Sequence, residues 1–520
     1  MTDPHPTSRL RVVLALSALL QLTVTALPDT MGDILNYRLW ASELAQHGLA
    51  EAYWPSRPLE MSAERLDAPI DYPPIVPYLL LVIGKAGAVF SLSDAHLDTL
   101  IRVPFVLANL ALGVLLFVDA RRGATTASAT LAATLYLLNP GILFNTAYWG
   151  QADSLVALFL VASVVALGRG RPEWAWACFA LAALTKPLAY PLAPLLLLAT
   201  VKSFGWARLV RCAAAFAACG LVVVLPFAWS GHLGLLLRSL FVQLDAMPYA
   251  SVNAHNLWWL VERGTPWLDA REKVFGLATL GGIGVALVSV FLLVTLGLVW
   301  RSRDERATRL GFASTAFGFF MLATHLHENH SFAVLPLLLL VGVEDPRGRR
   351  FFLLVSGVLF ANMLLHDPYL THVLRPWVPG PTLLLPQVRG LDPGFFDYFL
   401  AQGYPHLVDQ IRGETSLLGV LLTVLNAQLA TLTFAWWLFT FYARPSFDDA
   451  LSEPERPLPR RLVLPAVLLF VGATSALFLA RAFGEDRLGR TSPIRLADRA
   501  SGREARGGSI LPGDRCSGRS

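Results

Sequence analysis

Apolar runs of bilayer-crossing length recur along this 520-residue sequence, with few charges to interrupt them. Inside hydrocarbon every backbone polar group must be satisfied within the protein, which leaves only helices or closed barrels. Runs of roughly 17–25 residues select helices. Hydrophobic residues make up 55% of the chain and charged ones 15%, a balance that excludes an ordinary soluble multidomain protein. The sequence therefore predicts an all-α, polytopic integral membrane protein of about 11–13 transmembrane helices.

The runs fall at about 10–27, 102–119, 125–143, 152–168, 173–185, 188–201, 210–229, 274–300, 310–324, 332–343, 351–365, 416–442 and 462–481. The stretch from Pro73 to Phe90 is also apolar enough to cross. Counting it as a span would put Arg121 and Arg122 outside, so it reads as a juxtamembrane or re-entrant helix that Pro73 and Pro74 begin. Arg9 and Arg11 before the first run mimic a signal peptide. A retained span fits better, because cleavage near Ala26 would leave Asp33 beside a loose N-terminus. With that assignment Arg121, Arg122, Arg169, Lys202, Arg301 and Arg347 all fall on one side, the inside. The outside carries a long first loop, 28–101, with ten acidic residues against four basic ones, and a second, 366–415, rich in Pro and aromatics. Residues 1–482 form one membrane-embedded domain, and 483–520 an Arg/Gly/Ser-rich disordered tail. Cys178, Cys212, Cys219 and Cys516 make no disulfide or metal pattern.

The unusual polar residues gather on the outside: Asp33 with Arg38, Asp71 with Tyr72, Gln151 with Asp153, and His327 with Glu328. Each pair alone reads as a cap or a loop salt bridge; four on one face read as a site, since ionisable groups at membrane depth are costly. Asp33 heads a helical stretch whose N-terminus favours its ionised form. Positions 33, 37, 40 and 44 put Asp, Tyr, Trp and Leu on one helical face, suited to lying in the headgroup zone. Trp149, Trp258, Trp259 and Trp377 read either as stacking surfaces for a sugar or as an interfacial belt. Lys186, between two short runs, either snorkels to the interface or helps hold a lipid phosphate. The spacing of His325, His327 and His330 differs from a zinc-protease helix; an imidazole there suits phosphate contact or proton donation. No Gly-rich phosphate loop is present, so direct use of ATP or a sugar nucleotide is not expected. No metal is required where Arg, His or Lys can offset a phosphate charge, and no cofactor or nucleic-acid partner is expected.

Several of these stretches resemble the GT-C superfamily of membrane glycosyltransferases: Gly32-Asp33 with Arg38-Leu39-Trp40, Asp71-Tyr72-Pro73-Pro74, Leu100-Ile101-Arg102, and His327-Glu328. The closest likeness is to the dolichyl-phosphate-glucose glucosyltransferases of N-glycan precursor assembly. The 148–153 stretch (Tyr-Trp-Gly-Gln-Ala-Asp) and Asn256-Leu257-Trp258-Trp259 resemble bacterial relatives of the GPI mannosyltransferases. The resemblance spans roughly residues 10–345. It implies a GT-C-like fold in the cell membrane, with the active site facing the periplasm or exterior. It further implies inverting transfer of a hexose, glucose or mannose, from a polyprenyl-phosphate donor to a lipid-linked glycan, polysaccharide or protein. Asp33 would be the general base. Asp71, His327 and Glu328 would be further active-site positions, with Arg38 and His327 near the donor phosphate. Leu39 stands where the glucosyltransferases commonly carry His, and Asn329 follows the His-Glu pair in place of Lys, which leaves sugar and acceptor open. The rival reading is a transporter or flippase of a lipid-linked sugar, which would place its polar residues at mid-membrane breaks and not at span ends.

Overall fold

The computed structural model describes residues 8–27, 33–49, 52–53, 70, 72–237, 249–261, 268–366, 382–384, 414–452 and 465–476. Asp71, Trp377 and the 483–520 tail lie outside them.

The apolar runs form helices, as their hydropathy requires. In chain order these are α1 (Ser8–Thr25), α2 (Asp33–His47), α3 (Ile75–Phe90), α4 (Asp94–Ala120), α5 (Thr126–Leu137) and α6 (Pro140–Tyr148). There follow α7 (Asp153–Gly168), α8 (Pro172–Ala183), α9 (Pro187–Phe204), α10 (Trp206–Trp229) and the short α11 (Leu257–Val261). A two-stranded hairpin, β1 (Lys273–Val274) and β2 (Ala278–Thr279), leads into α12 (Leu280–Arg301). The remainder are α13 (Glu305–Leu322), α14 (Val334–Val341), α15 (Pro346–Leu365), α16 (Leu417–Trp437) and α17 (Phe447–Ser452). Among the described residues seven helices are long and apolar enough to cross a bilayer, or eight with the bent pair α5–α6 as one span. Three shorter apolar helices, Ile75–Phe90, Asp153–Gly168 and Pro465–Ala476, add to these.

The break in the α5–α6 pair has a local cause. Asn139 caps the second half, its Oδ1 accepting from the Gly141 and Ile142 N–H at 2.9 and 3.3 Å. Pro140 then occupies the first turn, where its missing N–H costs nothing. The chain bends by 46° and unwinds through a π turn at 144–148, which delivers Trp149 and Gln151 to the bundle end.

The two bundle ends differ in chemistry. At one, Arg309 on α13 grips Asp119 of α4 at 2.6 Å and Glu305 at 3.0 Å, and donates to the Leu340 carbonyl at 3.1 Å. Lys202 donates to the carbonyls of Val299 and Ser302, and Arg347 to those of Ala450 and Leu451. The basic residues that orient the chain thus also satisfy orphan carbonyls at helix ends. The functional residues collect at the opposite ends of the same helices.

Helix α1 is tied into the bundle by a file of buried polar contacts. Ser17 donates to the Leu137 carbonyl at 2.8 Å, Gln21 to Ser17 at 2.9 Å, and Asn109 to Gln21 at 2.9 Å. At its end Arg102, 1% exposed, donates to the Thr25 carbonyl at 2.9 Å. The bonds among these that join α1 to other helices contribute about 0.6–2 kcal/mol each in a membrane.

One expectation is corrected. The stripe of Tyr37, Trp40 and Leu44 does not lie flat in the headgroup zone; all three are buried against α3, α4 and Tyr72. Tyr37 meets the Tyr72 ring edge-on at 5.6 Å, and Trp40 lies 6.1 Å from it. The helices approach closely enough that a Cβ on Gly84 would stand 1.9 Å from the Ala41 carbonyl oxygen. An aromatic face this apolar gains more from burial against neighbouring helices than from half-immersion. Asp33 is therefore placed by packing of the helix beneath it.

Candidate active site

Asp33 is the first residue of α2 and half-buried at the bundle end. Its Oδ2 accepts from the Trp149 indole N–H at 2.5 Å and from the Gln151 amide at 2.7 Å. Both donors favour the ionised carboxylate. They reach one oxygen because Gly150 between them adopts φ +76. A Cβ there would lie 2.4 Å from Ile34 Cδ1 and 3.0 Å from Arg102 Cγ, so only glycine fits both the conformation and the space. Gly150→Ala is expected to destabilise the fold by more than about 1–2 kcal/mol from the left-handed backbone alone. Thermal unfolding in mild detergent measures this; an unchanged midpoint would contradict the packing.

The network continues from Gln151, whose Oε1 accepts from the Tyr72 hydroxyl at 3.1 Å and from Lys186 at 3.5 Å. Lys186 Nζ sits 2.8 Å from Asp153 Oδ1 and 5.7 Å from the Tyr72 ring centre. This pair is buried, with side chains 10% and 3% exposed, so Lys186 is not snorkelling. Asp153 Oδ2 accepts from Asn145 at 3.1 Å and from Asn329 at 2.6 Å, which completes the satisfaction a buried ion pair requires.

Asn329 brings in the loop after α13. There His327 Nδ1 lies 3.8 Å from Glu328 Oε2, and the rings of His327 and His330 meet edge-on at 5.1 Å. Glu328 is 5% exposed and its Oε2 has no hydrogen-bond partner. Burial, reinforced by the Asp33 charge and only partly countered by a backbone N–H and Lys186, pushes its carboxyl up to about 8. At neutral pH Glu328 carries a proton and can donate. Burial and Lys186 push His327 below its usual value, so that imidazole is neutral and donates without charge.

The His-Glu loop is held from behind by the segment ending in α11. Val252 N–H donates to the Leu326 carbonyl at 2.9 Å and His325 N–H to Tyr249 at 3.0 Å. Asn256 caps α11, its Oδ1 accepting from Trp258 N–H at 3.0 Å, while its amide donates to Phe320 and Ala323 carbonyls at the end of α13. Asn362 of α15 accepts from His255 N–H at 2.8 Å and donates to the Asn253 carbonyl at 2.7 Å. His255 Nδ1 accepts from Asn426 at 2.8 Å, so its Nε2 donates to His366 Nε2 at 3.0 Å. The C-terminal helices thereby brace the site.

The structure brings Asp33, Tyr72, Gln151, Asp153, Lys186, His327 and Glu328 to one end of the bundle. Asp71 lies outside the described residues. Arg38 is placed differently from expectation: it pairs with Asp94 and Asp98 of α4 at 3.1 and 3.4 Å, and this acidic pair absorbs its charge. The tryptophans are also corrected. Trp149, Trp258 and Trp259 are 4%, 3% and 1% exposed; they bond Asp33, the Leu322 carbonyl and Thr423 and offer no open face to a sugar. Sequence reasoning missed Asn145 and Asn329, ordinary amides whose partner Asp153 becomes visible only in three dimensions.

Residues 71–324 match glycosyltransferase family 87. That stretch holds Tyr72, Asn145, Trp149, Gln151, Asp153 and Lys186, while Asp33, His327, Glu328 and Asn329 flank it. Among solved structures, the crystal structure of ArnT from Cupriavidus metallidurans bound to undecaprenyl phosphate is similar at 18% identity. That match covers 95% of this chain and 80% of the other, with a TM-score of 0.46. No curated protein matches the chain. On its helices this protein is a polytopic membrane protein, and through residues 71–324 it is similar to glycosyltransferase family 87.

Proposed function

We propose that the protein transfers a hexose, glucose or mannose, from a polyprenyl-phosphate donor, by a single displacement in which Asp33 is the base. The observation that carries this reading is the Asp33 carboxylate itself: half-buried at a helix N-terminus, accepting from Trp149 and Gln151, with a buried ion pair behind Gln151. An acceptor hydroxyl gives its proton to Asp33 as its oxygen bonds to the sugar's anomeric carbon. On the opposite face the bond from that carbon to the phosphate oxygen breaks, and the electron pair leaves with polyprenyl phosphate. That leaving group needs positive charge and hydrogen-bond donors in place of an acid. The protonated Glu328 and neutral His327 supply donors, and Lys186, paired with Asp153, acts on both through its charge. Lipid-linked glycan, polysaccharide or protein is the acceptor, met at the outer face of the membrane, opposite the Arg309 end.

Proteoliposomes offered radiolabelled glucosyl- and mannosyl-polyprenyl phosphates side by side test the donor class. Label should pass from one of them to a glycan acceptor; transfer from a sugar nucleotide alone would overturn the reading. The carboxyl of Glu328 sets an alkaline limit. It holds its proton up to about 8 in the folded protein and loses it near 4.5 when unfolded, so its stabilising proton is fully present below 4.5 and lost as pH rises through about 8. Transfer should decline above that pH in the wild type. Glu328→Gln keeps a donor that cannot ionise, so it should retain most neutral-pH transfer and lose the alkaline decline. An identical decline in Glu328→Gln would remove Glu328 from this role.

A further inference from the structure

The hairpin between α11 and α12 carries a feature that glycosyl transfer does not use. Val274, Phe275, Gly276 and Leu277 form its tight turn, closed by the Leu277 N–H donating to the Val274 carbonyl at 3.0 Å. Both central residues have positive φ, +52 at Phe275 and +73 at Gly276. Turns of this kind favour Asn, Asp or Gly there, and a bulky aromatic at positive φ is strained. Yet Phe275 is 95% exposed and Leu277 87% exposed, so their side chains repay that strain with almost no contact inside the protein.

What surrounds the turn says what meets it. The second strand runs straight into α12, a membrane-crossing helix, so the tip stands within a few residues of the hydrocarbon edge. The outer face of that helix is among the most exposed in the molecule, with Val285 at 68%, Val290 at 62% and Leu293 at 67%. The bases of the hairpin are polar, with Arg271, Glu272 and Lys273 exposed below the apolar tip. Polar flanks around a pair of large apolar residues at a bilayer edge suit insertion into the interface.

We propose that Phe275 and Leu277 form an anchor that dips into the acyl region of the leaflet next to the active site, the occupant being membrane lipid. The anchor is joined to the site through backbone contacts. Gly281 N–H donates to the Ala270 carbonyl and Ala250 N–H to Leu268, and Tyr249 in turn accepts from His325, two residues from His327. The hairpin thus fixes the height of the His-Glu loop relative to the lipid surface, where a lipid-borne sugar must arrive.

The test is photo-crosslinking of the full chain in phosphatidylethanolamine/phosphatidylglycerol nanodiscs. p-Benzoylphenylalanine is placed at 275, at 277, at the polar base position 271, and at 290 on the lipid face of α12. Mass spectrometry should show phospholipid adducts at 275, 277 and 290 and none at 271. Adducts at 290 with none at 275 and 277 would overturn the anchor, since the protein would then be correctly inserted with its hairpin out of the lipid. This outcome is independent of any donor or acceptor, so it leaves the glycosyl-transfer reading untouched.

Discussion

Lys186→Met unfolds well below the wild type, by about 3–5 kcal/mol, because it strands the Asp153 carboxylate in a buried site. Asp153 is 3% exposed and would keep only the amides of Asn145 and Asn329. Two neutral donors do not offset the desolvation of a full charge. The double variant Lys186→Met/Asp153→Asn removes both charges and keeps an amide oxygen to accept from the buried amides of Asn145 and Asn329. It should recover most of the lost stability while remaining inactive, since Gln151 then loses the neighbour that aligns its carbonyl end. Thermal unfolding of the three proteins in mild detergent decides this. If the double variant were as unstable as Lys186→Met, the stranded charge would not be the cause.

Asp33→Asn has the largest effect on chemistry and almost none on the fold. The amide oxygen of Asn still accepts from Trp149 and Gln151, so the two donors stay satisfied and α2 keeps its packing. What disappears is the proton acceptor, and loss of a general base lowers turnover by about 10²–10⁴-fold. The loss falls on kcat with KM little changed, because the base acts only as the acceptor hydroxyl attacks. Asp33→Ala should be inactive and also less stable, since it leaves the amide of Gln151, a residue 3% exposed, without its acceptor. Unaltered transfer by a folded Asp33→Asn protein would rule Asp33 out as the base.

Much of this organisation was legible in the sequence because hydropathy and charge act over long stretches. Apolar runs located the helices, and the arginines around 121, 169 and 301 sorted their ends, which is why Asp33, Gln151, Asp153, Lys186 and Glu328 could be gathered without coordinates. Residues whose meaning depends on a partner were harder. Arg38 looked like a phosphate ligand beside Asp33, but Asp94 and Asp98, about 60 residues away in sequence, claim it. Trp149 reads in sequence as a sugar platform or a belt residue and is instead a donor to Asp33, because the Gly150 turn directs its indole inward. Asn145 and Asn329 carried no signal, since a single amide has the same local appearance on a surface and against a buried carboxylate. Helical periodicity placed 33, 37, 40 and 44 on one face, but periodicity does not say whether lipid or protein covers that face.

The stereochemistry of transfer tests the single-base account most directly. A donor of known anomeric configuration is supplied to reconstituted protein, and the new linkage is assigned by proton NMR coupling at the anomeric carbon. One displacement with Asp33 as base predicts a product of inverted configuration. Retention would contradict it, because retention requires two displacements through a carboxylate-bound sugar, with Asp33 or Glu328 as nucleophile.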